Sequence, residues 1–192
     1  STPAKGVMLA FFDTETTGIP KHPNAKPHLQ PKMIEFAGVL VDSDGEEVAT
    51  VELLFNPGEP LEPIITKITG LVDEDLKDQK AFPHHQGRLR AFFGLADAAI
   101  AHNLPFDSTI IDLEVERWNA DPWPWPPWMI CTVQEQTEEW GRRPKLEQWY
   151  REVTGCPWSQ KHRALDDVRA MVAATRDSGV LDEIISAIEA SR

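Results

Sequence analysis

Hydrophobic residues run through positions 7–12 and give way abruptly to Asp13, a pattern that predicts a buried strand ending in a functional turn. The proline-rich, polar stretch 21–31 predicts a loop. Two further strands are expected at 33–41 and 48–55, joined at 42–46 by a hairpin turn in which Gly45 takes positive φ. These make three neighbouring antiparallel strands. After Pro60 the spacing turns helical through Ile64, Ile65 and Ile68 and breaks at Gly70.

An irregular helix is expected over 84–93 and a short strand over 98–101. Residues 104–118 predict a helix with Asp107, Ile111, Val115 and Trp118 along one side. Positions 119–128 hold four prolines, which remove backbone donors and fix φ, so a stiff surface loop is expected there. A last strand is expected at 129–133, followed by helices at 145–153, 164–175 and 180–190. Three strands, then alternating helix and strand, then terminal helices describe an α/β sandwich with a mixed sheet. No internal repeat or second domain is visible, so residues 1–192 read as one globular domain.

Charge complicates the search for a partner. The chain has 31 acidic and 19 basic side chains, a formal charge of −12, and so disfavours a tight, sequence-independent nucleic-acid coat. It does not exclude an enzyme that reaches phosphate through divalent cations and releases its product quickly. No long apolar span or secretory signal is visible, which points to a soluble protein in the cytoplasm or elsewhere inside the cell, without a membrane partner. Cys131 and Cys156 form no metal-binding cluster and read as ordinary thiols.

Three short segments carry candidate chemistry. Asp13-Thr-Glu15 follows the first apolar run, and if the strand continues that far both carboxylates point to one side. Such a pair calls for a neutralising cation, although a solvated acidic turn would have the same sequence. Gly18, lacking a Cβ, leaves room for the chain to turn close to a ligand. Asp107 falls in the first turn of a helix, where it serves either a site or the helix amides. His162 precedes a helix opened by Asp166 and Asp167; it reads as a proton acceptor beside activated water or as a solvated loop histidine. Carboxylate donors suit Mg²⁺ or Mn²⁺ better than zinc.

The helical period separates the two adjacent aspartates. Ala164, Val168, Met171, Val172 and Thr175 gather on one side; Asp167 lies about 80° from the centre of that stripe and Asp166 roughly opposite it. Asp167 is therefore expected to flank the sheet, and Asp166 to face water.

The segments Phe12-Asp-Thr-Glu-Thr-Thr-Gly18, Ala101-His-Asn-Leu-Pro-Phe-Asp107 and His162-Arg-Ala-Leu-Asp-Asp167 resemble the three ordered motifs of the DEDDh exonucleases, the group that includes the proofreading subunit of the bacterial replicative DNA polymerase. Ile68-Thr-Gly70 and the stretch around Lys145 to Trp149 resemble further family segments, so the likeness covers most of residues 7–175. It implies a ribonuclease-H-like fold with a central five-stranded mixed sheet flanked by helices. It also implies 3′–5′ hydrolysis of single-stranded or frayed DNA to 5′-mononucleotides with two divalent cations, Mg²⁺ or Mn²⁺.

Carried over by motif, Asp13, Glu15, Asp107 and Asp167 would hold metal, and His162 would be the general base. The resemblance also implies substrate contacts at Thr14, Thr16, Thr17, His102, Asn103 and Phe106, and a wedge against the terminal base at Ile64 and Ile68, whose packing into a core is the alternative. Trp123, Trp125 and Trp128 have three readings: base stacking, closure of a hydrophobic edge, or self-association as a homodimer. A polymerase or repair complex is the expected macromolecular context. The rival functions are an exoribonuclease with the same active site, and an inactive binding or scaffold protein with the same fold.

Overall fold

In a computed structural model, residues 6–192 are described. A five-stranded sheet has the order β3-β2-β1-β4-β5, with β1 (Leu9–Thr16) at its centre. Antiparallel β2 (Met33–Val41) and β3 (Glu47–Leu54) lie on one side, and parallel β4 (Ala98–Ala101) and β5 (Trp128–Cys131) on the other. This is the mixed five-stranded sheet expected from the sequence. The 42–46 turn also forms as expected: Gly45 adopts φ 80°, its N–H donates to Asp42 O, and the Asp42 carboxylate accepts from the Asp44 and Glu46 amides.

The sheet is covered on both faces. Leu9, Phe11, Val39 and Ile100 pack beneath α7 (Ala164–Asp177) and α8 (Val180–Ala190), together with Trp149 from α6 (Leu146–Thr154). Ala10, Phe12, Phe36 and Ala99 pack on the other face against Leu89, Phe92 and Phe93 of α3 (Phe82–Gly94) and Ile110 and Ile111 of α4 (Leu104–Arg117). Gly38 is required here, because a Cβ at that position would lie 2.5 Å from the Phe92 ring. A smaller cluster unites Ile34 with Ile65 of α1 (Pro63–Thr69) and Leu76 of α2 (Asp73–Leu76).

Several expectations need correction. β1 does not stop at residue 12: Asp13, Thr14 and Glu15 remain paired with Ala37, Phe36 and Glu35, so ladder pairing carries polar residues in strand conformation until the register slips between Glu15 and Thr16. Residues 132 and 133 begin helix α5 (Thr132–Trp140) rather than finishing a strand, and α2 was not anticipated. Both elements have short apolar patterns that give periodicity little to work on. The buried side of α4 is Leu104, Asp107, Ile110, Ile111 and Glu114, whereas Trp118 is exposed at the helix end.

Glu114 replaces Trp118 in the expected inward role. It accepts bonds from Met33 N, the Arg117 guanidinium and Trp118 Nε1. Arg117 also donates to the carbonyls of Pro27, Gln30 and Pro31, and so secures the proline-rich loop to α4. Among the described residues, no helix is long and apolar enough to cross a membrane. Cys131 and Cys156 are free thiols, one buried and one exposed.

Candidate active site

Strand alternation distributes the first motif between two helices. Leu9 and Phe11 face α7, so Asp13 and Glu15 continue that row, while Thr14 and Thr16 follow Ala10 and Phe12 toward α4. The first turn of α7 supplies Asp167. It is buried, whereas Asp166 is exposed, as helical phase requires. One ligand atom each from Glu15, His162 and Asp167 lies within 4.8 Å of the other two.

Asp107 joins from the opposite helix. Pairing between β1 and β4 ends at Phe11 and Ile100, which leaves the later amides on that edge of β1 without a strand partner. Asp107 Oδ1 accepts from both Thr14 N and Thr14 Oγ1, at 3.0 and 2.7 Å. Asn103, with φ 75°, turns the chain sharply from β4 into α4 and places Asp107 in the first turn. The five residues expected to carry the chemistry therefore converge from β1, α4, α7 and the segment before α7.

Their environment favours protonation. Burial, then the Asp107, Glu15, Asp167 and Glu35 charges, raise Asp13 well above the ordinary carboxylate range. Burial followed by neighbouring carboxylates raises Glu15 to about 9; Arg163 only partly opposes this. Asp107 is raised to about 7 by burial despite its bonds from Thr14, and Asp167 to about 6 by burial despite a bond from Gln160. Asp13 Oδ2 and Asp167 Oδ1 are buried without a hydrogen-bond partner. Oxygen donors with excess negative charge and one adjacent imidazole fit hard divalent cations.

Residues outside the three acidic segments hold this arrangement. Glu35 lies opposite Glu15 and is almost wholly buried; it accepts from Ala164 N at 2.7 Å and from the Arg163 guanidinium at 3.0 Å. It thus ties β2 to the first residue of α7, three residues before Asp167. Gln160 Nε2 donates to Asp167 Oδ2 at 3.0 Å. His162 has φ 53°, an uncommon conformation for a residue with a Cβ and a form of local strain found at functional sites. A glutamate inside the otherwise apolar 33–41 run was the available signal for Glu35; Gln160 had no comparable signal.

The remaining expected contacts divide by environment. Thr14 directs its N–H and hydroxyl to Asp107, so its side chain positions that carboxylate and is not offered to a ligand. Thr16 Oγ1 donates to Gly18 O, while Thr17 exchanges bonds with the Lys32 backbone. His102 stacks on Trp149 and places its ring nitrogens 2.8 Å from Thr132 Oγ1 and 3.0 Å from Pro144 O. Burial lowers its pKa to about 4, keeping it neutral. His102 and Asn103 line the same cleft as Asp13, His162 and Asp167, whereas Phe106 is half-buried against the α3–α4 core.

Ile64 and Ile68 project outward, while Ile65 enters the core, so packing accounts for only one of the three isoleucines. Base stacking by the tryptophan loop is not supported. Trp123 packs against Phe82 and Phe93 beneath Arg90, Trp125 packs against Phe12 and Phe93, and Trp128 packs against the α7–α8 core. The loop closes a hydrophobic edge.

Residues 10–175 match the exonuclease family, RNase_T. The chain belongs to this family. Its three ordered acidic segments follow the pattern of the DEDDh 3′–5′ exonucleases, and its fold agrees with that of solved family structures. The zinc-bound structure of E. coli ExoI with single-stranded DNA has a TM-score of 0.75 and 18% identity, covering 93% of this chain and 42% of that chain. The nuclease domain of 3′hExo, a DEDDh family member bound to rAMP, gives 0.72 and 15%, with coverage of 94% and 95%. A PolC-type DNA polymerase III from Halalkalibacterium halodurans is 38% identical over 109 residues. That match covers 57% of this exonuclease chain and only 7% of the polymerase.

Proposed function

We propose that this exonuclease removes 5′-mononucleotides from the 3′ ends of single-stranded or frayed DNA, using two divalent cations. The observation that carries this reading is the convergence of four carboxyl groups and His162 at the end of β1. Asp13, Glu15, Asp107 and Asp167 would hold the cations, Mg²⁺ or Mn²⁺, which activate water and neutralise charge around phosphorus. His162 accepts the proton lost by the attacking water at its imidazole nitrogen. Thr14 keeps Asp107 aligned, and Gln160 does the same for Asp167. Water oxygen bonds to phosphorus, the bond from phosphorus to the upstream 3′ oxygen breaks, and that oxygen takes a proton.

The exposed Ile64 and Ile68 side chains would wedge against the terminal base, and the main chain of residues 14–17 would surround the terminal nucleotide. DNA is favoured over RNA by the matched segment's place in a DNA polymerase, which also supports action within a polymerase or repair complex. Parallel digestion of 5′-labelled and 3′-labelled DNA and RNA strands, with Mg²⁺ or chelator, tests the reading. A shortening ladder from 5′-labelled DNA and immediate release of labelled mononucleotide from the 3′ end are expected only with metal. Full activity in rigorously metal-free protein would overturn the cation-dependent mechanism, and preferential RNA degradation would assign the same site to RNA ends.

A further inference from the structure

The carboxylates explain how phosphorus could be attacked, but they repel the strand that must approach them. The cleft that contains Asp13, His162 and Asp167 has a volume of about 620 Å³ and is also lined by Arg143, Lys145 and Arg151. Along residues 141–163 six Lys or Arg face two Glu, the reverse of the balance in a chain of formal charge −12. Two of those cations have evident structural tasks. Arg163 is bound to Glu35, while Arg151 is bound to Glu147 and donates to Trp158 O. Glu147 is further occupied by the Gln160 amide.

Arg143 and Lys145 differ from these. Both are exposed on the cleft wall, and the recorded Arg143 side-chain bond is a 3.3 Å contact to Asn103 Oδ1 at the start of α4. One cleft therefore carries both the carboxylates, where a scissile phosphate would meet cations, and the exposed positive side chains of Arg143 and Lys145. An anionic strand gains from contacts on that wall without any reading of its bases.

We propose that Arg143 and Lys145 hold backbone phosphates of the single strand upstream of the scissile bond. They bind the polymer and position its end, while the carboxylates and His162 act on phosphorus. This inference rests on the exonuclease activity proposed above. It also accounts for an acidic protein acting on a polyanion: affinity is confined to the wall of one cleft.

The test compares an oligothymidylate strand with the p-nitrophenyl ester of thymidine 5′-phosphate, which presents a phosphodiester without upstream phosphates. Arg143→Ala combined with Lys145→Ala is expected to raise KM for the strand roughly tenfold in moderate salt while leaving ester turnover unchanged. In chelator, fluorescence anisotropy should show the slope of log affinity against log salt becoming shallower by about 1.4, near 0.7 for each lost contact to a single strand. Arg143→Lys with Lys145→Arg should restore both values. Lys77→Ala with Arg176→Ala makes the same change in net charge away from this cleft and should leave the slope at the parental value.

Parental strand KM and salt slope in the double alanine variant would overturn the proposal, as would an equal effect from the distant charge control. Parallel loss of ester turnover would also overturn it, because the wall would then be supporting the chemistry or the fold. If the parent hydrolysed neither substrate with Mg²⁺ or Mn²⁺, the exonuclease reading itself would fail.

Discussion

At the scale of single residues, the site is an unfavourable concentration of negative charge maintained by the fold. The folded-state pKa values of Asp13, Glu15, Asp107 and Asp167 all lie above their ordinary values. The native protein consequently binds more protons than the unfolded chain, and stability must fall as pH rises through the interval that Glu15 extends from 4.5 to about 9. We expect Asp13→Asn to raise the Tm of metal-free protein toward the alkaline end of that interval while eliminating most hydrolysis. Mg²⁺ should raise the parental Tm more than that of the variant. A lower Tm for Asp13→Asn at every pH would instead make Asp13 a structural residue. The adjacent aspartates give a second comparison: Asp167→Asn should nearly abolish turnover even at saturating Mg²⁺, whereas Asp166→Asn should retain most of it. Mn²⁺ titration of both variants separates a weakened site from a missing ligand, and the reverse ranking would contradict the assigned roles.

At the scale of elements, catalytic geometry depends on where α7 begins. Glu35 supplies that anchor from the neighbouring strand by accepting both the Ala164 amide and the Arg163 guanidinium. Glu35→Ala removes the acceptor and should cost about 2 kcal/mol, measured by denaturant unfolding. Metal affinity should fall with it, because the start of the helix carrying Asp167 loses its polar anchor on β2. Glu35→Gln should recover much of the stability, since its side-chain oxygen can still accept the Ala164 N–H. Unchanged unfolding and metal affinity in Glu35→Ala would show that α7 is fixed by its apolar face alone.

At the scale of the whole molecule, the two helix layers hold opposite parts of one site. Thr14 and Asp107 belong to the α4 side, while Asp13, Glu15 and Asp167 meet on the α7 side, and the central strand connects them. The tryptophan loop seals the α3–α4 layer. Trp123→Ala should therefore destabilise the protein by about 3 kcal/mol through lost burial and a cavity against Phe82 and Phe93. Its single-strand affinity, measured below the onset of unfolding, should match the parent. Weaker strand binding without loss of stability would return Trp123 to a substrate-contact role.

The sequence by itself determined the mixed sheet and the terminal helices through local pattern, and singled out the five convergent side chains through the resemblance of its ordered acidic segments to the DEDDh motifs. Apolar runs and helical period are local properties, and the ordered acidic segments lie at the ends of those elements. The inward turn of Asp167 and the outward turn of Asp166 were legible for the same reason. Tertiary structure decided what local pattern could not encode. Ladder pairing extended β1 through Glu15, and the early departure of β4 exposed the Thr14 amide that receives Asp107. Glu35 became an anchor only when register brought it beside α7, and the tryptophans became a core lid only when α3 lay beneath them. These are contacts between distant segments, selected by burial and by the hydrogen-bonding demand of backbone groups left without a strand partner.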